Sequence, residues 1–279
     1  MLRIKIVIVL SLMIVLSGEL YSKSAAFKSP SSNDENFTIY WKDKFNKKEK
    51  EKVKLWLDAV SSACSEVLGE YPFKININIF RVDNAKEPVP WAQTVRSGEQ
   101  GVNFHIDPDF TLEEFLKDWT AAHEISHLSI PFLGPENMWF AEGYATYMQG
   151  QILIEMEEFS LEQIEEKYLR KLSKALPYYQ SNSSFTQVAD SLKSQHRYPD
   201  LYWGSATFFV QLNNYLMEKK GISLTEIISD YQSCCRLDDE NISDLIKSFD
   251  KLIGDSYASE LLNSYKSTPA RNVIKLDYF

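Results

Sequence analysis

The sequence predicts an α+β fold in which an N-terminal lobe with a mixed β-sheet and helices precedes a mostly helical C-terminal lobe. Strand-like alternation of apolar and polar residues is confined to the first third of the chain, and apolar residues recur at helical spacing through the rest. With 44% hydrophobic and 25% charged residues among 279, the chain has the composition of a globular protein. Collagen, coiled-coil and disordered classes are therefore excluded.

The first residues have the three-part layout of a secretory signal peptide. Arg3 and Lys5 give a basic start, residues 6–16 are almost continuously apolar, and small and polar residues follow. We assign residues 1–24 to this signal peptide and leave its cleavage position open. An uncleaved membrane anchor is the alternative, but the apolar run is shorter than the roughly 20 residues that a bilayer span needs. The sequence therefore predicts a secreted or periplasmic protein without stable membrane insertion after cleavage.

Residues 25–110 are predicted to form the first lobe, an N-terminal α/β unit. Apolar residues recur at helical spacing over 47–68 and predict a long amphipathic helix, while Pro88 and Pro90 mark a loop. Three segments have the pattern of short strands: Phe37–Trp41, residues 73–80 and Gly101–Ile106.

Residues 111–279 are predicted to form the helical lobe. Capping-box patterns at Thr111, Ser160 and Ser223 mark three helix starts. A polar loop is expected over residues 178–199. The predicted helices cover residues 112–128, a segment starting near 138, residues 161–176, residues 201–220, a segment starting near 224, and one or two more beyond it.

Charge and cysteine content limit partners and cross-links. The chain has 39 Asp and Glu against 30 Lys and Arg, a formal net charge of −9, and no basic stripe, so we expect no nucleic-acid partner. Either a monomer or an oligomer fits this composition. With only Cys64, Cys234 and Cys235, at most one disulfide forms within the chain, and a bridge from Cys64 to either of the other two is possible.

The predicted helix over 112–128 contains the sequence His123-Glu-Ile-Ser-His127. Two imidazoles four residues apart lie on one helix face, where both can reach a single metal ion. Glu124 is offset around the helix, close enough to hydrogen-bond a metal-bound water without ligating. A chance occurrence is expected in roughly three of a thousand chains of this composition, so the pattern favours a metal site.

Glu142 is the candidate third ligand. It follows His127 by 15 residues, after a turn broken by proline and glycine that lays the next helix back against the first. Two His and one Glu, with a fourth position open, are the ligands of catalytic rather than structural zinc. We therefore expect one Zn²⁺ per chain, and we expect Thr146, one turn beyond Glu142, to hydrogen-bond its carboxylate.

These segments resemble the gluzincin zinc metallopeptidases, which include thermolysin and aminopeptidase N, and most closely the peptidase MA-like and glycyl aminopeptidase groups. The shared pattern is HExxH, a short spacer and then W-x-x-EG-x-A-x-Y, which matches Trp139–Tyr147. The segment Leu201–Leu212 is similar to the helix in which these peptidases place a catalytic tyrosine. The resemblance covers about residues 100–220 and implies a thermolysin-like catalytic domain.

By this resemblance, His123, His127 and Glu142 bind Zn²⁺, Glu124 is the general base and then the acid, and Tyr202 donates to the oxyanion. The strand Gly101–Ile106 takes the place of the edge strand that pairs with an extended peptide substrate. The implied activity is hydrolysis of peptide or protein substrates by a zinc-bound water that Glu124 activates.

One departure from the family pattern bears on specificity. The GxMEN signature that aminopeptidases of the aminopeptidase N type carry before HExxH is absent, which leaves endo- or exo-action open. Two other functions fit the same residues. They are a catalytically weak zinc-bearing binding or assembly protein, and a zinc hydrolase of a non-peptide bond.

Overall fold

A computed structural model describes residues 36–276, and it confirms the predicted α+β class. The predicted signal peptide, residues 1–24, lies outside the described residues. Four strands form one mixed sheet in the order β1-β2-β4-β3. Their ranges are β1 Phe37–Trp41, β2 Ile75–Arg81, β3 Trp91–Val95 and β4 Gly101–Ile106.

The sheet differs from the prediction at its edge. The first, second and fourth strands run parallel, and β3 pairs antiparallel with β4. The strand Gly101–Ile106 is therefore internal, and the expectation that it forms the edge is wrong. β3 takes that place because the loop marked by Pro88 and Pro90 ends at residue 90 and the chain turns back to pair with β4.

The remaining elements between residues 36 and 276 are helices. Their ranges are α1 Lys47–Leu68, α2 Leu112–Leu116, α3 Thr120–His127, α4 Met138–Glu155, α5 Leu161–Tyr179, α6 Phe185–Ser194, α7 Tyr198–Ser205, α8 Thr207–Lys220, α9 Leu224–Cys234, α10 Ile242–Ile253, α11 Tyr257–Ser267 and α12 Ala270–Val273. None of the helices in this range is both long and apolar enough to cross a membrane.

Three predicted boundaries in the helical lobe are wrong. The helix expected over 112–128 is interrupted between α2 and α3. The loop expected over 178–199 contains α6, whose capping box pairs Ser184 with Gln187. The helix expected over 201–220 is two helices, α7 and α8, that meet at Ala206.

A continuous core joins the sheet to the helices. Helix α1 packs on the inner face of the sheet, with the Trp56 ring 5.6 Å from that of Phe104. Helix α4 is buried on nearly all sides because it lies at the centre of the helical lobe, where Phe140 contacts the rings of Phe208 and Phe209 on α8. The segment His123–His127 and Glu142 are thus carried by elements inside this core.

The disulfide in the described residues joins Cys234 to Cys235. Cys64 is buried in α1 and takes no part in it. The pairing of Cys64 with either neighbour, which the sequence left possible, therefore does not occur. The bridge lies at the end of α9, immediately before Arg236.

Candidate metal centre

Helix α3 carries both histidines, and side chains from neighbouring residues and from the distant Tyr71 hold its ends. At the start, the Asp118 carboxylate accepts a hydrogen bond from the Thr120 amide at 2.8 Å. At the other end, the Tyr71 hydroxyl donates to the Ile125 carbonyl at 3.0 Å, and the Ser129 hydroxyl donates to the Ser126 carbonyl at 2.7 Å. The bond from Thr120 satisfies an amide at the helix start, and the other two add to the backbone bonds that the Ile125 and Ser126 carbonyls already accept.

Two buried guanidinium groups bind the carbonyls that follow α3. Arg96 donates to the His127 carbonyl and, at 2.9 Å, to that of Ile130. Arg236 donates to the Leu128 carbonyl at 2.9 Å. Burial, reinforced by the nearby charge of Arg236, lowers the pKa of Arg96 to about 10, so Arg96 remains a cation at neutral pH. Both arginines complement the negative end of the helix dipole beside His127.

The predicted ligands converge. Helix α4 follows α3 after a turn and places the Glu142 carboxylate, through Oε2, 3.2 Å from Nε2 of His123 and 3.7 Å from Nε2 of His127. One ligand atom from each residue lies within 4.8 Å of the other two. The three groups could therefore hold one metal ion.

Burial makes this cluster electrostatically distinct. The side chains of His123, His127 and Glu142 are only 3%, 11% and 16% exposed. Burial alone would raise the pKa of Glu142, but the two imidazoles outweigh it and hold that pKa well below its ordinary value. Burial lowers the pKa of His123, whereas hydrogen bonding to Glu142 and its charge raise it, with a net rise. An ionised carboxylate thus faces two imidazoles in a largely dry setting.

The chemistry of this donor set fits zinc. Two imidazole nitrogens and one carboxylate oxygen, with no cysteine, are ligands found at catalytic zinc sites, whereas structural sites are usually closed by four residues. Oxygen-only ligands would instead favour Mg²⁺ or Ca²⁺.

Gln149 supports the cluster from behind. Its Oε1 lies 2.9 Å from Nδ1 of His123, which makes Nδ1 the hydrogen-bond donor and leaves Nε2 to face Glu142. The sequence predicted a supporting bond from Thr146 to Glu142. Among the described residues, the supporting contact comes from Gln149, two turns beyond Glu142, and its partner is a histidine.

Glu124 lies outside the cluster of His123, His127 and Glu142 and is held by the edge strand. Its Oε2 accepts hydrogen bonds from the amide of Thr94 at 3.0 Å and from the Thr94 hydroxyl at 2.9 Å. The carboxylate of Glu124 is thereby fixed between α3 and β3. No local sequence pattern predicts the contact between Thr94 and Glu124, because the contact depends on how β3 pairs in the sheet.

Tyr202 lies beside the cluster, with its ring 5.9 Å from that of His123. Burial, followed by the charges of Glu142 and Glu124, raises the pKa of its phenol far above the ordinary value. The hydroxyl therefore stays protonated at neutral pH and can donate a hydrogen bond. The close approach of α7 depends on Gly143, since a Cβ there would lie 2.6 Å from the backbone of Ser205.

Comparison with known proteins adds no relative. No protein-family model matches the chain, and no curated protein matches it. The arguments about function therefore depend on the motif and on the geometry described above.

Proposed function

We propose that the protein is a secreted or periplasmic zinc-dependent metallopeptidase with a thermolysin-like catalytic domain and one Zn²⁺ per chain. The observation that supports it best is the convergence of His123, His127 and Glu142 within 4.8 Å, with Glu124 adjacent but outside the cluster. This arrangement separates three ligands from one carboxylate that is available for proton transfer.

Zinc bound by these residues would act as a Lewis acid that lowers the pKa of water toward 7 and polarises a carbonyl group. Glu124 takes the proton from the attacking water and then delivers it to the leaving amine. Thr94 keeps the Glu124 carboxylate in one orientation for both transfers.

Tyr202 has the role of stabilising charge. As the scissile carbonyl becomes tetrahedral, its oxygen gains negative charge, and a hydrogen-bond donor at that position lowers the barrier. One such donor is typically worth about 10²- to 10³-fold in rate. The raised pKa of Tyr202 keeps the phenol protonated, so its O–H can donate a hydrogen bond to this oxygen.

The substrate class follows from β3. This strand is at the edge of the sheet and pairs on one side only, with β4, so an extended peptide can add alongside it. Because Thr94 of the same strand contacts Glu124, a peptide paired there would pass close to the general base.

The test is Glu124→Gln, compared with Glu113→Gln on the exposed surface of α2 as a matched control. Cleavage of a mixed peptide library, followed by mass spectrometry, is expected to fall by at least about 10²-fold in Glu124→Gln and to stay unchanged in the control. Zinc content, measured by elemental analysis, is expected to remain near one per chain in both. Undiminished cleavage in Glu124→Gln would refute the role of the base. Stoichiometric zinc without cleavage by the native protein would favour a binding or assembly protein, or a hydrolase of a non-peptide bond.

A further inference from the structure

The sheet has a second face, opposite the one that packs against α1 and α3. Its eleven outward positions, two in β1 and three in each other strand, include no Asp, Glu, Lys or Arg. At the 25% charged fraction of the chain, about three charged side chains would be expected there, since strand faces in contact with water are usually polar or charged. Apart from Gly101 and Val95, these positions are polar or aromatic, and none carries a charged side chain.

Aromatic rings form a row across three strands of this face. Phe80, His105 and Trp91 occupy paired positions on β2, β4 and β3. The Phe80 and His105 rings stack at 4.7 Å, and the Trp91 ring lies 4.6 Å from His105. Trp91 is 48% exposed, and Tyr40, further across the same face, is 43% exposed. Trp91, at one end of the row, and Tyr40 therefore present ring surface to solvent.

A row of amides lies next to the rings. Asn78 and Asn103 are paired across β2 and β4 and share a hydrogen bond at 2.9 Å. Gln93, paired with Asn103 on β3, is exposed. Each amide has two N–H donors and an acceptor oxygen, and the Asn78–Asn103 bond uses one donor and one acceptor. The amide row therefore retains N–H donors and oxygen acceptors, at neighbouring positions, for further hydrogen bonds.

These two rows fit one kind of ligand better than others. The rings and amides lie about 7 Å apart along the strands, and four strands span about 14 Å, an area suited to two or three sugar rings. The C–H face of a pyranose packs on an indole, and its hydroxyl groups both donate and accept hydrogen bonds. Nucleic acid would need several cations along the face, and its strand positions supply none. A peptide strand would pair with a sheet edge rather than with a face.

We propose that the open face of the sheet binds a neutral carbohydrate, with the aromatic row stacking on sugar rings and the amide row contacting their hydroxyls. The two charged groups that contact the face, Lys42 over the Tyr40 ring and Glu99 at Asn76, lie at its margins, and the two rows themselves carry no charged side chain, which matches a ligand without charge. This site lies on the opposite side of the sheet from Glu124 and does not depend on the proposed hydrolase activity.

The test is native gel electrophoresis through gels containing laminarin, glucomannan, xylan or glycol chitin. The net charge of −9 carries the protein through such gels. At least one of the four polysaccharides is expected to retard the native protein relative to a gel without polysaccharide. Trp91→Ala is expected to weaken this affinity at least tenfold. Phe132→Ala, which removes a 66% exposed ring elsewhere, is expected to leave it unchanged.

A second measurement locates the contact. Titration with an oligosaccharide of the retarding polymer is expected to shift the NMR signals of the Trp91 indole N–H and of the Gln93 and Asn103 side-chain amides. Thermal unfolding of Trp91→Ala is expected to match that of the native protein, which separates loss of binding from loss of fold. Migration unaffected by all four polymers, equal retardation of Trp91→Ala, or shifts confined to other residues would each overturn the proposal.

Discussion

The contact between Thr94 of β3 and Glu124 of α3 connects the first lobe to the helical lobe. Both donors of Thr94, its amide and its hydroxyl, bind the same carboxylate oxygen. A side chain held this way loses rotational freedom before substrate arrives. We infer that the hydroxyl positions Glu124, since the amide alone leaves the carboxylate free to pivot.

Thr94→Val tests this role because valine keeps the shape of threonine and removes only the hydroxyl. We expect kcat for peptide cleavage to fall about 10- to 100-fold, with KM and zinc content little changed, since misplacement of a catalytic group by about 1 Å has an effect of this size. Thr94→Ser should restore most of the rate, and Thr225→Val on α9 is the control. Equal rates for Thr94→Val and the native protein would exclude the positioning role.

In the proposed zinc site, Gln149 would have a corresponding role, positioning a ligand. Gln149→Leu removes the acceptor for Nδ1 of His123, which frees the ring to rotate. We expect zinc affinity to fall about 10- to 100-fold, as for other partners of ligating histidines. Competition with a chromogenic chelator measures this affinity. Gln151→Leu, on the same helix, should bind zinc as the native protein does, and equal weakening in both variants would point to a general effect on α4.

Among whole elements, the packing of α7 on α4 sets the position of Tyr202. Gly143→Ala would place a Cβ 2.6 Å from the Ser205 backbone, so the helices must separate. We expect a destabilisation of about 1–3 kcal/mol, the range for overpacked cores, together with a lower kcat. Gly150→Ala is the control, because its Cβ meets only a side-chain methyl of Ile164, at 3.0 Å, and no backbone atom. Urea unfolding measures both variants, and similar stability in the two would contradict the tight crossing.

The element boundaries show which structural signals are local. The range of α1 agrees with the prediction because its apolar spacing and its Asn46 cap are both local signals. The break before α3 was missed because the helical pattern continues through it, and a tertiary arrangement that buries Asp118 decides the interruption. The α6 capping box was present in the sequence but was hidden within a polar segment.

The same distinction applies to the candidate site. His123, Glu124 and His127 could be found because one helical turn fixes their spacing, and Glu142 because a short turn follows. Thr94 and Gln149 were missed because their contacts depend on sheet pairing and on helix crossing. The spacing of residues in one helix is visible in a sequence, whereas the partner of a side chain across the fold is not.

At the scale of the whole molecule, Asp118 links stability to pH. Burial raises its pKa from 3.8 to about 6, with a smaller contribution from the charge of Glu87. The folded state therefore binds this proton more tightly than the unfolded state. The stabilisation is fully present below about pH 4 and is lost as pH rises through about 6.

Asp118→Asn removes this titration and keeps an oxygen that can accept from Thr120. Between pH 4 and pH 7 the native protein loses the stabilisation that depends on Asp118, and Asp118→Asn does not. The free energy of unfolding of Asp118→Asn minus that of the native protein should therefore increase by roughly 2–3 kcal/mol over this range, because each pKa unit corresponds to about 1.4 kcal/mol. Urea unfolding across this pH range measures the difference, with exposed Asp190→Asn as the control. A difference that stays constant with pH would show that Asp118 does not titrate differently in the two states.

The bridge between Cys234 and Cys235 has a consequence for handling the protein. A cross-link stabilises a fold chiefly by closing a loop in the unfolded chain, which lowers the conformational entropy of the unfolded state. The effect grows with the number of residues in the loop. Here the joined residues are adjacent, so almost no chain is enclosed. The free energy that maintains the fold comes from burial of side chains such as Trp56 and Phe208. The protein is thus suited to production in a reducing cytoplasm, where opening the bridge leaves that burial intact.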